Sequence, residues 1–185
     1  MFELPRREGG KARERGLNDF IRQGIMQEIE RKFLVRDGRF RDEAFRSTAI
    51  AQGYLCSRRV TARVRIYGDE AFLTIKGKSR DGGLSRFEWE RRIPVRCAER
   101  LLARCSGVVE KVRHLVRAGE FVYEVDEFAG DNAGLVVAEV ELRSKDDCPP
   151  LPDWILKEVT GVRCYYNSFL AKHPYKEWGG EKEGL

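Results

Sequence analysis

From residue 28 onward, charged and apolar side chains alternate along short segments of the chain. Within 28–35, Glu28, Glu30 and Lys32 alternate with Ile29 and Phe33. Because strand side chains point to opposite faces in turn, the three charged residues share one face. The same alternation recurs at 61–66, 72–76, 86–90, 111–113, 123–126 and 138–142. The pattern therefore predicts a series of β-strands, each with a charged face and an apolar face.

Turn and helix signals separate these predicted strands. Residues 67–70 and 79–83 have the composition of tight turns, the second with adjacent glycines at 82 and 83. Glycine and proline positions indicate where helices end, and Asp153 is a candidate N-cap. We predict short helices over 41–50, 98–105, 154–160 and 165–172.

The charged faces can lie in water or face an interior. An antiparallel sandwich with its charged faces in water is the ordinary arrangement for such alternation. Two features favour an interior instead. The charged faces repeat Glu, Arg and Lys with almost no Ser, Thr or Gln, and the sign of the charge changes from strand to strand.

The candidate interior charges are nearly balanced. The acidic set has eight members: Glu28, Glu30, Glu88, Glu90, Glu124, Asp126, Glu139 and Glu141. The basic set has seven: Lys32, Arg63, Arg65, Lys76, Arg86, Lys111 and Arg113. Buried charges must be paired or must bind an ion, so this balance suits an enclosed space. We predict a mainly β (α+β) fold, a closed eight-stranded antiparallel β-barrel tunnel with a charged lumen and helices packed on the outside.

Length, charge and hydropathy narrow the class of protein. At 185 residues we expect one tunnel domain over 26–175, preceded by a poorly ordered basic leader over 1–25 and followed by a tail over 176–185. The net charge of +5 gives little support for a nucleic-acid partner. No run of 18 apolar residues and no apolar signal core occurs, so neither a membrane span nor a secretion signal is predicted.

Cysteine and histidine usage gives a zinc site little support. The five cysteines have no C-x-x-C spacing, and only two histidines are present. We therefore expect free thiols in a cytoplasmic protein.

The order of the charged motifs resembles that of the CYTH family, also called the triphosphate tunnel metalloenzymes. The family's opening strand resembles Glu28-Ile29-Glu30-Arg31-Lys32-Phe33, with its E-x-E-x-K signature. Later matching blocks are Arg63-x-Arg65, Leu73-Thr74-Ile75-Lys76, Arg86-x-Glu88-x-Glu90, Lys111-x-Arg113, Glu124-Val125-Asp126 and Glu139-Val140-Glu141. The similarity covers roughly residues 26–175, and the chain most resembles the inorganic triphosphatase branch.

The resemblance implies a tunnel that binds Mg²⁺ or Mn²⁺ and cleaves inorganic tripolyphosphate to pyrophosphate and phosphate. Such a site acts mainly by positioning and charge neutralisation, because triphosphate oxygens repel an attacking water. The implied catalytic residues are Glu30, Glu90 and Lys111. The implied substrate-binding residues are Lys32, Arg63, Arg65, Lys76, Lys111 and Arg113. The implied metal ligands are Glu28, Glu30, Glu88, Asp126, Glu139 and Glu141.

Other activities fit the same motifs. A class IV adenylyl cyclase, or a nucleotide or thiamine triphosphatase, would use the same charges, although we identify no pocket for a base in the sequence. A non-catalytic polyphosphate-binding module is a third alternative, but binding alone needs mainly the cations. The sequence leaves the preferred metal, the general base and the oligomeric state open.

Overall fold

A computed structural model describes residues 29–56, 61–80, 85–144 and 146–178, without the side chains of 56, 61, 76–80 and 85–88. The described strands are β1 Ile29–Val35, β2 Ala44–Cys56, β3 Thr61–Tyr67, β4 Glu70–Arg80, β5 Ser85–Ile93, β6 Val108–Ala118, β7 Phe121–Phe128, β8 Val136–Leu142 and β9 Ile155–Glu158. The described helices are α1 Phe40–Glu43, α2 Val95–Leu102 and α3 Asn167–Leu170, with 3-10 turns at Gly130–Asn132, Arg163–Tyr165 and Tyr175–Glu177.

The strands confirm the mainly β prediction. A strand covers the described part of each segment in which charged and apolar residues alternate. The predicted turn at 67–70 is confirmed, because β3 ends at Tyr67 and β4 begins at Glu70. In the second predicted turn, β4 continues to Arg80, and 81–84 lie outside the described residues. The predicted leader and Glu28 also lie outside them.

All nine strands belong to one antiparallel sheet in the order β5-β4-β3-β2-β6-β7-β8-β1-β9. Most neighbours in this order are also neighbours in sequence. The exceptions are β2, which pairs with β6 as well as with β3, and β1, which lies between β8 and β9. The first strand therefore lies beside strands from the end of the domain.

The structure does not confirm a closed eight-stranded barrel. The sheet has nine strands, and within the described residues β5 and β9 form its two ends without pairing to each other. β9 pairs with the second edge of β1, and beyond it the Val159 amide donates to the Lys32 carbonyl at 2.8 Å. Because these groups use the backbone of that edge, no other strand can pair with it there.

Two predicted helices are wrong. Residues 155–158 of the helix predicted over 154–160 form β9, because the edge of β1 offers backbone partners and tertiary pairing overrides a weak local preference. Only Phe40–Glu43 is helical near the helix predicted over 41–50, since the chain from Ala44 onward pairs with β6.

The other two predicted helices are present in altered form. α2 confirms the helix predicted over 98–105, but it begins at Val95, directly after Pro94, and ends at Leu102. The helix predicted over 165–172 is reduced to a 3-10 turn followed by the single turn of α3.

The apolar face of the sheet carries two hydrophobic cores. In the first, Trp154 is fully buried and packs edge-to-face on Phe40 and Tyr123, with ring centroids 6.2 and 5.6 Å apart. In the second, α2 covers Val64 and other residues of β3 and β4 by burying Ala98 and Leu102. α2 thus lies on the outside of the sheet, as predicted.

The described cysteine side chains are free thiols, as the cysteine spacing predicts. Cys97, Cys105, Cys148 and Cys164 are free thiols, and the side chain of Cys56 lies outside the described set. In the described part of the chain, no helix has the length and apolar character needed to cross a membrane. The cytoplasmic location inferred from the cysteines stays a prediction.

Truncation of a core valine should destabilise the protein more than the same change at the surface. Val140 is fully buried in the core around Trp154, whereas Val162 is 39% exposed. We expect Val140→Ala to lower the free energy of unfolding by about 2 kcal/mol, because it removes two buried methyl groups and leaves a cavity. Val162→Ala should change it by less than about 0.5 kcal/mol. Urea unfolding of both variants checks this, and equal losses would contradict the core described here.

Candidate active site

Strand register brings the charged positions of neighbouring strands onto one side of the sheet, called here the charged face. The cross-strand pairs on this face are Glu30–Glu141, Lys32–Glu139, Glu124–Glu139, Arg113–Asp126, Gln52–Arg65, Tyr54–Arg63, Arg63–Thr74, Thr74–Glu90 and Lys76–Glu88. These pairs form two groups. The first runs across β1, β8, β7 and β6, and the second across β2, β3, β4 and β5. Strand β2 lies between the groups and contributes Ile50 and Gln52 to this face.

The first group is centred on a buried ion-pair network. Lys111 and Asp126 are 3% and 1% exposed, and the Lys111 ammonium contacts the Asp126 carboxylate. Arg113 Nε and Nη2 each donate to Asp126 at 2.7 Å, which is the two-pronged geometry typical of arginine and carboxylate. Arg113 also contacts Glu124 and lies 3.3 Å from Glu139. One guanidinium therefore contacts carboxylates on two strands.

Burial and ion pairing shift the pKa values of this network in opposite directions. Burial acts to raise the pKa of Asp126, but the charges and hydrogen bonds of Lys111 and Arg113 outweigh it, so the pKa is lowered. Burial lowers the pKa of Lys111 against the opposing effect of Asp126. For Arg113, burial acts to lower the pKa, but Asp126, Glu124 and Glu139 raise it overall.

The signature residues of β1 extend this network. The Lys32 ammonium contacts Glu139 and lies 3.9 Å from Glu30, its neighbour on the same face. The backbone of Lys32 is held at the edge of β1 that pairs with β9, where the Lys32 amide donates to the Thr160 hydroxyl at 3.0 Å. Lys32 is only 3% exposed, so strand pairing and burial fix it within the charged face.

The second group holds two arginines around one carboxylate. Arg63 lies 3.3 Å and Arg65 4.0 Å from Glu90 Oε2, and the buried Thr74 hydroxyl donates to the same oxygen at 2.6 Å. The Nε atoms of both arginines are buried and have no hydrogen-bond partner among the described residues. Burial and the neighbouring Arg63 lower the pKa of Arg65, and the charges of Arg113 and Glu124 also act on it. The two groups therefore lie within electrostatic reach of each other.

The carboxylates of the charged face differ in basicity. Burial raises the pKa of Glu124, with Arg113 opposing the shift. Burial also acts to raise the pKa of Glu90, but the Thr74 hydrogen bond and the charges of Arg65 and Arg63 lower it overall. Because a lowered pKa makes a weaker base, Glu90 is better suited to holding the arginines than to accepting a proton.

The C-terminal segment closes one end of the charged face. Val109, Phe128 and Val137 occupy the last positions of the face at this end, and they pack against Val159, Tyr165 and Leu170. α3 therefore packs on the inner side of the sheet, unlike the outside position predicted for the helices. Position 107 must be glycine for this packing, since a Cβ there would lie 1.7 Å from the Ala171 carbonyl oxygen.

This C-terminal segment also reaches the charged residues. The Tyr166 ring centroid lies 5.0 Å from Lys32 Nζ, and Asn167 Oδ1 accepts from Lys111 Nζ at 3.4 Å. The segment extends to Trp178, whose ring packs 5.6 Å from Tyr165. Residues 176–178 of the predicted tail are thus in contact with the fold, and 179–185 lie outside the described residues.

The structure brings most of the predicted site residues together. Those with described side chains on the charged face are Glu30, Lys32, Arg63, Arg65, Glu90, Lys111, Arg113, Asp126, Glu139 and Glu141. Lys76 and Glu88 oppose each other in register on the same face, but their side chains are not described, and Glu28 precedes the described part of β1.

Sequence reasoning missed four residues of the site: Gln52, Thr74, Tyr166 and Asn167. It placed Glu124 among the interior charges but gave it no role in the site. Strand alternation could have identified Thr74, because it lies two positions from Lys76, a predicted site residue on the same strand. Nothing comparable pointed to Tyr166 and Asn167, whose positions depend on how the C-terminal segment folds back.

No preformed metal site is present among the described side chains. They include no group of three or more His, Cys, Asp or Glu residues arranged to hold a metal ion. In the conformation seen, both Asp126 oxygens and both Glu139 oxygens lie next to ammonium or guanidinium groups.

Comparison with known proteins finds a family match and close relatives. The model of the CYTH domain matches residues 26–166. Inorganic triphosphatases of Acetivibrio thermocellus and Nitrosomonas europaea are 41% and 38% identical to the chain, over 82% and 79% of its length and 97% of theirs. The crystal structure of an inorganic triphosphatase superimposes with a TM-score of 0.61 at 34% identity, covering 80% of this chain and 95% of that one.

The buried ion pair should matter far more for stability than an exposed one of similar chemistry. Asp126→Asn leaves two cations without their carboxylate, so we expect the free energy of unfolding to fall by about 3 kcal/mol or more. Glu158→Gln is the matched control. Its hydrogen bonds with Arg31 and Thr160 lower the pKa of Glu158 to about 2, but its side chain is 41% exposed, so we expect a loss below about 1 kcal/mol.

The effect of Asp126 should also depend on pH. The pKa of Asp126 is lower in the folded state than in the unfolded state. Its contribution to stability is therefore fully present above the unfolded-state pKa and is lost as the pH falls through the folded-state pKa. The difference in stability between the wild type and Asp126→Asn should therefore shrink on acidification. Urea unfolding at neutral and acidic pH measures it, and a difference independent of pH would contradict the ion-pair assignment.

Proposed function

This chain belongs to the CYTH domain family, and on that premise we propose that it is a divalent-metal-dependent triphosphatase. Its substrate in this proposal is inorganic tripolyphosphate, which it hydrolyses to pyrophosphate and phosphate. The relatives named inorganic triphosphatase, which align over nearly their whole length, support this choice within the family.

The observation that carries the proposal is the presence of both signs of charge on one buried face. Lys32, Lys111 and Arg113 supply cations close to the carboxylates of Asp126 and Glu139. A module that only binds polyphosphate needs mainly the cations, whereas hydrolysis also needs carboxylates to hold an ion or accept a proton. The paired sets therefore favour an enzyme over a non-catalytic binding module.

The cations bind and orient the triphosphate in this proposal. Arg63 and Arg65 each have a buried Nε–H without a partner among the described residues, and phosphate oxygens are suitable acceptors for these donors. Lys32 and Lys111 act as compact positive charges, and Lys76 belongs to the same face by its strand register. Together they offset the negative charge that would repel an attacking water.

We assign the catalytic carboxylates separate tasks. Glu30 accepts the proton of the attacking water, and Glu90 holds Arg63 and Arg65 side by side at its Oε2. The lowered pKa of Glu90 supports this division, because it weakens that carboxylate as a base. Lys111 stays at the closed end of the face, where Asn167 and Asp126 contact its ammonium.

The acidic residues Glu30, Glu139 and Glu141 would hold Mg²⁺ or Mn²⁺, with Glu28 and Glu88 as further candidates. Carboxylate oxygens suit these hard cations. Glu30 lies directly opposite Glu141, and Glu139 opposite Glu124; a nearby cation offsets the repulsion of such pairs. Asp126 fits less well, because Lys111 and Arg113 contact its oxygens. When bound, such an ion polarises phosphate oxygens and lowers the pKa of a bound water.

An assay with several substrates tests the proposed reaction. We expect the purified protein to release phosphate from tripolyphosphate with Mg²⁺ or Mn²⁺, and more slowly from ATP or thiamine triphosphate. Excess chelator should abolish turnover and added metal should restore it, because the carboxylates need the ion to act on phosphate. Full activity in chelator would refute the metal requirement, and formation of cyclic AMP from ATP would favour the cyclase alternative.

Two substitutions should separate chemistry from binding. Glu30→Gln keeps the shape of the side chain but removes a charge, so we expect kcat to fall about 100-fold or more. Arg63→Ala removes a phosphate contact, so we expect mainly a rise in KM. Steady-state kinetics with tripolyphosphate measures both effects.

The matched controls are Glu120→Gln, at an exposed residue paired with Arg143, and Arg100→Ala, on the exposed side of α2. Both controls should keep wild-type kinetics. A Glu30→Gln variant with the wild-type rate would show that the opening motif has only a structural role.

A further inference from the structure

We propose that a row of arginines on the outer side of the sheet binds the phosphate backbone of a single-stranded nucleic acid. The row consists of Arg91 near the end of β5, Arg96 and Arg100 on α2, and Arg104 just after α2, and it is called here the arginine row. Trp89 of β5 belongs to the same surface. The site lies on the opposite side of the sheet from the charged face, so the inference goes beyond the proposed function and does not depend on it.

The packing of α2 turns most of the arginine row toward solvent. One side of α2 is buried against β3 and β4 through Ala98 and Leu102, whereas Arg96 and Arg100 are exposed one turn apart. The chain keeps a helical turn after Leu102, because the Arg104 amide donates to the Leu101 carbonyl at 3.0 Å, and Arg104 is also exposed. Three guanidinium groups therefore follow one another on the solvent side, about 6 Å apart along the helix axis.

Strand β5 extends this surface with Arg91 and Trp89. Arg91 opposes Leu73, which packs against the core that α2 covers, and Trp89 opposes Ile75. Both point away from the charged face, since Glu90 between them points toward it. Trp89 is 36% exposed although it is large and apolar, and no ring or cation of the described residues lies over it. Its ring is therefore available for stacking.

The arginine row has few acidic neighbours. Within the described residues, no carboxylate lies within ion-pairing distance of its four members, and Glu99 is the acidic residue of α2. Residues 89–106 contain five arginines, two glutamates and no lysine, a net charge of +3 compared with +5 for the whole chain. The modest overall charge thus conceals a concentrated local one. The exclusive use of arginine suits phosphate, whose oxygens fit the guanidinium fork.

The arginine row works against the stability of the helix that carries it. Arg96 lies in the first turn of α2, where the helix dipole disfavours a cation. Arg96 and Arg100 are four residues apart, as are Arg100 and Arg104, so like charges repel along the helix surface. A face that only needs solvation gains nothing from this arrangement, whereas a bound polyanion offsets both effects. The row is therefore better explained by an anionic ligand than by solubility.

A single-stranded nucleic acid fits this surface better than other polyanions do. The step between successive arginines of α2 is comparable to the distance between successive phosphates of one strand. Sites for single strands combine such cations with an exposed aromatic ring on which a base stacks, and Trp89 supplies that ring. A membrane surface would instead need large apolar side chains beside the cations, and the exposed residues of α2 include none.

Binding of a labelled oligouridine of about 16 nucleotides tests the proposal, with fluorescence anisotropy at several salt concentrations as the measurement. We expect the triple variant Arg96→Gln, Arg100→Gln and Arg104→Gln to raise Kd about 10-fold or more. The slope of log K against log salt should become shallower by about 2, because each phosphate contact on a single strand contributes about 0.7. Trp89→Leu should raise Kd about 5-fold or more and leave the salt slope unchanged, because stacking releases no counterions.

The matched control carries the same change in net charge at the other end of the sheet. It combines Arg36→Gln, Arg143→Gln and Arg163→Gln, three exposed arginines that follow β1, β8 and β9. We expect this variant to bind the oligouridine as the wild type does. Urea unfolding checks that every variant is folded, and the triple variant on α2 should unfold at a higher urea concentration than the wild type because it relieves the repulsion along the helix.

The outcomes separate this inference from the proposed function. Absence of oligouridine binding by the wild type, or equal losses in the triple variant and its control, would refute the arginine row as a site. Duplex binding as tight as single-strand binding, together with an unaffected Trp89→Leu variant, would refute a single strand as its ligand. Loss of binding to phosphatidylserine vesicles without loss of oligouridine binding would assign the row to a membrane surface and would also refute the inference. A failure to hydrolyse tripolyphosphate would bear only on the proposed function.

Discussion

The structure depends on keeping many ionised groups on a largely buried face. Removing a charge from water is costly, and the cost is offset only when each charge has well-placed partners. Lys111, Asp126 and Arg113 meet this condition by contacting one another across β6 and β7. The alternation of charge along most strands of the face, and the near balance of acidic and basic residues, follow from the same requirement.

The same requirement accounts for the position of the C-terminal segment. Lys32 and Lys111 lie where the sheet would otherwise open to water, and the segment after β9 covers that end with apolar side chains. It also adds polar and aromatic partners, because Asn167 accepts from Lys111 and Tyr166 lies over Lys32. The segment thus completes both the core and the surroundings of the two lysines.

The two ends of the charged face differ in burial and in the pairing of their cations. At the closed end, the cations are buried and paired with carboxylates. At the open end, Arg46 and Arg117 are exposed and stack on aromatic rings. Electrostatic interactions are therefore stronger at the closed end, where the charges are less hydrated, than at the open end.

The sequence by itself determined the strands and the residues that share a face, because side-chain alternation has a period of two whatever the tertiary context. Hence the placement of Lys32, Arg63, Arg113 and Glu139 on one face could be predicted, and the order of the charged motifs, which begins with E-x-E-x-K, identified the family. Only the tertiary structure decided that 155–158 form a strand, that β9 occupies the edge of β1, and that Tyr166 and Asn167 join the site. These features depend on backbone groups and side chains distant in the chain, whose local sequence preferences are too weak to reveal them.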